Sequence, residues 1–152
     1  MSEQVEILLV EDHPKDIEFT LHALRHGNVS RNTHVARDGE EALEFLFCRG
    51  AFSGRSFEHP PKLVVLDLKL PKVSGLEVLR AIKTDSRTRA IPVTILTSSN
   101  EERDLVDGYK LGANSYVQKP VNFEDFRIAV RQLGLYWLVA NQAAPSSAFA
   151  EE

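Results

Sequence analysis

One cysteine, no apolar run long enough to cross a membrane, no surplus of positive charge and no internal repeat: each shortage closes off a class of function. The lone Cys48 cannot form an internal disulfide, and its neighbours Leu46 and Phe47 point to a buried, small apolar side chain. With 18 Lys and Arg against 22 Asp and Glu, the formal net charge of −4 offers no electrostatic footprint for nucleic acid. The apolar runs are of strand length, well short of the ~20 residues a membrane helix needs. The opening Met-Ser-Glu-Gln lacks the charged-then-apolar pattern of a secretory signal, so a cytoplasmic protein is expected, with no membrane partner. What remains is 152 residues, 43% hydrophobic and 26% charged, enough for one globular domain with a proper core.

Strand and helix signals alternate five times along this chain. Val5–Val10 is the first apolar run and ends in Glu11-Asp12; Pro14 then suits a first helical turn, with Ile17, Leu21 and Leu24 on one face and Gly27-Asn28 as a stop. Thr33–Ala36 is a short second strand, and Asp38-Gly-Glu-Glu41 opens a helix whose buried side is Ala42, Leu43, Leu46 and Phe47. The stretch Gly50–Pro61, rich in Gly, Ser and Pro, reads as a surface loop. Within Lys62–Asp67, the four apolar residues Leu63–Leu66 stop in an acid, the pattern of a fully buried parallel strand.

Ser74-Gly-Leu-Glu77 has the spacing of a capping box ahead of Leu76, Leu79 and Ile82. Ile91–Leu96 is a fourth strand ending in Thr97-Ser98-Ser99. Asn100–Arg103 opens a fourth helix carrying Leu105, Val106 and Tyr109 and closed by Gly112. Ser115–Gln118 is a fifth strand ending in Lys119-Pro120, and Phe123, Phe126, Val130 and Leu133 recur at helical spacing. Strands separated by helices of this length predict an α/β fold, a (βα)5 doubly wound parallel sheet covered on both faces.

In such a sheet the carboxyl ends of the strands share one edge, where ligands bind. Glu11, Asp12, Asp67, Thr97 and Lys119 all fall there. Singly, each has an ordinary use: an acid near a helix start, a strand-end hydroxyl, a solvated lysine. His13, beside the acids, has no second histidine at metal-ligand spacing. Together, three crowded carboxylates repel one another unless a cation enters, and a hard divalent ion such as Mg2+ suits oxygen ligands. Lys119 adds a compact positive charge and Thr97 a hydroxyl donor, both suited to a tetrahedral anion. The set points to a metal-assisted phosphoryl site in which an aspartate takes the phosphoryl group.

Glu11-Asp12, Asp67, Thr97-Ser98 and Lys119-Pro120, each at its own strand end, resemble the receiver domain of bacterial two-component response regulators, over roughly residues 5–133. The resemblance implies a flavodoxin-like sheet of strand order 2-1-3-4-5, and Asp67 as acceptor of a phosphoryl group from a sensor histidine kinase. It implies Mg2+ held by Asp12, Asp67 and the backbone carbonyl of Lys69, with Glu11 acting through water. It gives Lys119 to the phosphoryl oxygens, Thr97 a hydrogen bond to one of them, and a cis bond to Lys119-Pro120. Tyr116 matches the aromatic that turns inward when Thr97 is drawn toward the phosphoryl group, completing a Thr97/Tyr116 switch.

The sequence organisation expected is a receiver domain over residues 1–140 and a disordered tail over 141–152, with no separate output domain. Signalling then runs through phosphorylation-dependent binding or phosphorelay, without an enzymatic activity beyond the domain's own phosphoryl chemistry. The Gly50–Pro61 loop and the aromatic-rich Leu135–Val139 extension resemble the regulators that partner phytochrome-type photoreceptor kinases. Tyr136, Trp137 and Leu138 either fold back as core or join two copies, and a homodimer through the last helix is the expectation. Gly134 is expected to kink the helix or start a new turn. Two rivals stand beside this reading. A haloacid-dehalogenase-like Mg2+-dependent phosphatase has a similar nucleophile, but its usual second acid is replaced by Lys69. The other is a receiver-like binding module that takes no phosphate.

Overall fold

The computed structural model describes residues 4–26, 32–145 and 148; the expected helix stop at Gly27-Asn28 lies outside them, as does half of the expected tail. Five parallel strands form one sheet in the order β2-β1-β3-β4-β5: β1 (Ile7–Val10), β2 (Thr33–Ala36), β3 (Leu63–Leu66), β4 (Val93–Thr97) and β5 (Ser115–Gln118). The expected topology is the observed one. The helices between them are α1 (Pro14–His26), α2 (Gly39–Leu46), α3 (Gly75–Thr84), α4 (Glu102–Lys110) and α5 (Phe123–Leu135). α1 and α5 pack together on one face of the sheet; on the other, α3 touches both α2 and α4.

The central strands β1 and β3 are buried at every position, which is why their sequences are unbroken apolar runs. Leu8, Val10, Val64 and Leu66 face α2 and α3, while Ile7, Leu9, Leu63 and Val65 face α1 and α5. The register brings β1 and β3 level, Val10 opposite both Ala36 and Leu66, so Glu11 and Asp67 leave the sheet side by side. Two further backbone bonds carry the pairing past the last strand residues: Asp67 N to Val10 O at 3.0 Å and Glu11 N to Ala36 O at 3.0 Å. β4 begins two residues later than its apolar run, because Pro92 has no N–H for the ladder; its carbonyl instead accepts Val64 N at 2.9 Å.

Helix starts follow the sequence closely. Asp38 caps α2 by accepting Glu41 N, Ser74 caps α3 by accepting Glu77 N, and Asn122 caps α5 through Glu124 N and Asp125 N. Gly75 is required by close approach, since a Cβ there would lie 2.2 Å from the carbonyl oxygen of Asp67.

Cys48 departs from expectation. It is only half-buried, because the chain leaves α2 there through a left-handed residue (φ 56°) that turns the side chain out of the core. Phe45, not singled out in the sequence, takes the inward position at 2% exposure. The Gly50–Pro61 segment contains a 3-10 turn at Gly50–Phe52 and is held down by aromatic contacts: Arg55 lies 3.6 Å over the Phe45 ring and Arg87 lies 4.3 Å over Phe57. α5 runs through the buried Gly134 without a break, and a π turn (Tyr136–Ala140) begins beyond Leu135. Trp137 and Leu138 fold back against the α1/α5 side of the core, while Tyr136 stays exposed.

Candidate functional site

Everything the sequence places at the strand ends converges on one rim. One carboxylate oxygen from each of Glu11, Asp12 and Asp67 lies within 4.8 Å of the other two. Glu11 and Asp67 are buried, whereas Asp12 faces solvent. Asp67 is fixed by its own chain: Oδ1 accepts Leu68 N at 2.7 Å and Lys69 N at 3.4 Å, and Oδ2 accepts Lys119 Nζ at 3.1 Å. Glu11 divides its two oxygens. Oε2 accepts the backbone N–H groups of Asp12 and His13 at the opening of α1, and Oε1 accepts Lys119 Nζ. The capping use and the site use are therefore both present in one residue.

Lys119 is the positive centre, its side chain 8% exposed. The described residues contain no cis peptide bond, so Lys119-Pro120 is trans, contrary to expectation. The lysine is held instead by its own N–H, donated to Thr97 O at 2.7 Å, and by the carboxylates around its amine. A third carboxylate joins them that the sequence reading did not single out: Asp16 Oδ2 lies 2.8 Å from Lys119 Nζ. Its position was legible in principle. Side chains on a helix tilt toward its N-terminus, and Asp16 stands in the first turn of a helix that opens at this rim.

Electrostatics follow from this crowding. Burial pushes Glu11 up from 4.5 to about 7; Lys119 works against that rise, and the charge of Asp67 adds to it. For Asp67, burial also favours the neutral acid, but hydrogen bonds from the Glu11 carboxyl, the Lys119 ammonium and the Thr97 hydroxyl overcome it and hold the group below its ordinary value. Burial likewise disfavours the Lys119 ammonium, yet the carboxylates of Asp16, Glu11 and Asp67 prevail and raise it. A rim whose single amine cannot neutralise its acids, so that one retains a proton to neutrality, fits a hard divalent cation. The donor set is all oxygen, as Mg2+ or Mn2+ requires. His13 is exposed and adds no ligand; its Nδ1 accepts Asp16 N at 3.4 Å.

The two switch candidates sit at the edge of this rim and are already linked. Thr97 is fully buried, and its Oγ1 accepts Ser99 N at 3.4 Å. Tyr116 donates its hydroxyl to Ser99 O at 3.1 Å. Ser99 in turn donates its own hydroxyl to Asp104 of α4 at 2.6 Å. One residue, absent from the sequence-level candidates, thus joins Thr97, Tyr116 and α4.

Residues 7–131 match the family model described as "Response regulator receiver domain". Among curated relatives, the probable methanogenesis regulatory protein FilR2 of Methanothrix harundinacea is 41% identical over 137 residues, 90% of this chain and 86% of its own length. Response regulator Rcp1 of Synechocystis sp. is 36% identical over 132 residues, 87% of this chain and 88% of its own. The crystal structure of the Mn2+-bound form of Rcp1 superposes with a TM-score of 0.85 at 34% identity, covering 94% of this chain and all of that one. The phosphorylated cyanobacterial phytochrome response regulator RcpA superposes with a TM-score of 0.87 at 34% identity and the same coverage. These likenesses set the chain among receivers.

Proposed function

Because the chain belongs to the response regulator receiver domain family, we propose that Asp67 accepts a phosphoryl group from a sensor histidine kinase and that the modified domain signals by altered binding or by phosphorelay. A carboxylate oxygen of Asp67 forms a bond to phosphorus as the P–N bond of a phosphohistidine breaks. The electron pair leaves on the imidazole nitrogen, which takes up a proton. Asp67 is suited to this because it stays ionised in a buried site with the Lys119 amine 3.1 Å away. That arrangement is the observation that carries the proposal. Lys119 and the Thr97 hydroxyl receive the phosphoryl oxygens. Asp12, Asp67 and the backbone carbonyl of Lys69, with Glu11 through water, would hold Mg2+, which would supply neutralising charge when bound. Incubation with acetyl phosphate and Mg2+ is expected to add one phosphoryl group by intact mass to wild type and none to Asp67→Asn. An unmodified wild type would leave only the non-phosphorylated binding module.

Likeness to RcpA supports a phytochrome-type kinase as the donor. No helix among the described residues is long and apolar enough to cross a membrane. A homodimer through the last helix is supported by large apolar side chains exposed on one face of α5: Ile128 and Leu135, at i and i+7, are 40% and 38% exposed. Sedimentation with beryllofluoride and Mg2+ is expected to show a dimer in wild type and a monomer in Leu135→Glu. A wild-type monomer at every concentration would remove the dimer from the account.

A further inference from the structure

Lys119 offers three N–H bonds, and all three are already taken. Its amine donates to Glu11 Oε1, to Asp16 Oδ2 at 2.8 Å and to Asp67 Oδ2 at 3.1 Å. An incoming phosphoryl oxygen can meet this lysine only by displacing one of the three. Glu11 is the least free to yield, since it is 3% exposed and its other oxygen is anchored by the amides of Asp12 and His13. Asp67 is the group that reacts. Asp16 differs from both: it comes from a separate helix, its side chain is 24% exposed, and water can take over its charge. Its second oxygen stands 3.7 Å from His13 Nδ1, at the mouth of the rim.

We propose that Asp16 is a positioning residue that holds the Lys119 ammonium in reserve and competes with the phosphoryl group for it, setting how readily Asp67 is occupied. The inference rests on the reading of Asp67 as phosphoacceptor. Asp16 acts in two ways that point in one direction. It occupies a donor that the phosphoryl oxygens need, and it adds a negative charge where an anion must enter.

The opposing role, a prop without which Lys119 loses its position, predicts the reverse sign, so one titration separates them. Full-length wild type, Asp16→Asn, which keeps the acceptor oxygen but not the charge, and Asp16→Glu, which keeps the charge, are titrated with beryllofluoride at saturating Mg2+ by calorimetry. Asp16→Asn is expected to bind about tenfold tighter than wild type, a typical size for coupling between neighbouring groups, and Asp16→Glu no tighter. A support role or local misfolding weakens binding and cannot tighten it. Equal or weaker binding by Asp16→Asn, with wild type binding normally, overturns the role of Asp16 alone. Absence of binding by wild type overturns the phosphoacceptor reading itself. Asp16→Ala keeps the test open should Asp16→Asn fail to fold, with tighter binding again expected and weaker binding again contrary.

Discussion

α3 and α4 lie side by side on the same face of the sheet, yet they are attached to it in very different ways. α3 buries Val78, Leu79 and Ile82 completely, and its first turn presses on the backbone of Asp67 and Leu68 through Gly75. α4 buries only Gly108; its large apolar side chains Leu105, Val106 and Tyr109 are 40%, 41% and 51% exposed. Gly108 lets α4 sit close, since a Cβ there would lie 2.7 Å from Ile95 Cδ1 of β4. The acids that do the chemistry therefore stand on the firmly packed centre of the sheet. The helix best placed to report on them is held by few side chains and by the Ser99–Asp104 hydrogen bond. Regions that move are drawn from the weakly packed end of a structure's stability range, and here that region adjoins the site.

The contrast can be broken first by truncation. Leu79→Ala should cost about 2–5 kcal/mol in denaturant unfolding, as for other fully buried leucines. A smaller loss would mean that α3 is no better anchored than its neighbour. The site centre can be tested next by pH. Glu11 keeps its proton to about pH 7 in the folded state, against 4.5 for a free glutamate, so its contribution to stability is full at low pH and is lost as pH rises through 7. A cation that pairs with the ionised group reverses that loss. The rise in Tm on adding Mg2+ is therefore expected to be larger at about pH 8 than at about pH 6; an equal rise at both would separate Glu11 from the cation site. The smallest effect belongs to the loose helix: Leu105→Ala should change stability by no more than about 0.5 kcal/mol.

How much of this was readable beforehand differs between sheet and rim. β1 and β3 announce themselves because strands buried on both faces must be continuously apolar, and the acids stand out by ending them. Asp38, Ser74 and Asn122 sit in local capping patterns that need no tertiary knowledge. Asp16 and Ser99 were missed because their partners are distant in sequence: Asp16 meets a lysine 103 residues away and Ser99 a tyrosine 17 away. The first turn of α1 marks Asp16 as near the rim, but neither partner is signalled locally. The neighbours of Cys48 point to a buried side chain, but a single left-handed residue past the end of α2 reverses its direction, and composition carries no trace of that. Leu105, Val106 and Tyr109 show the same limit in reverse: helical spacing says that α4 exists, and the sheet beneath decides how little of it is covered.

Amide hydrogen exchange on the full chain, with and without beryllofluoride and Mg2+, reads both helices at once. The account predicts that exchange changes in Ser99–Lys110 and around Tyr116 while Gly75–Thr84 is unaffected, and that Thr97→Ala binds the anion but loses the change in α4. Equal responses in the two helices, or a response in α4 that survives in Thr97→Ala, would contradict it.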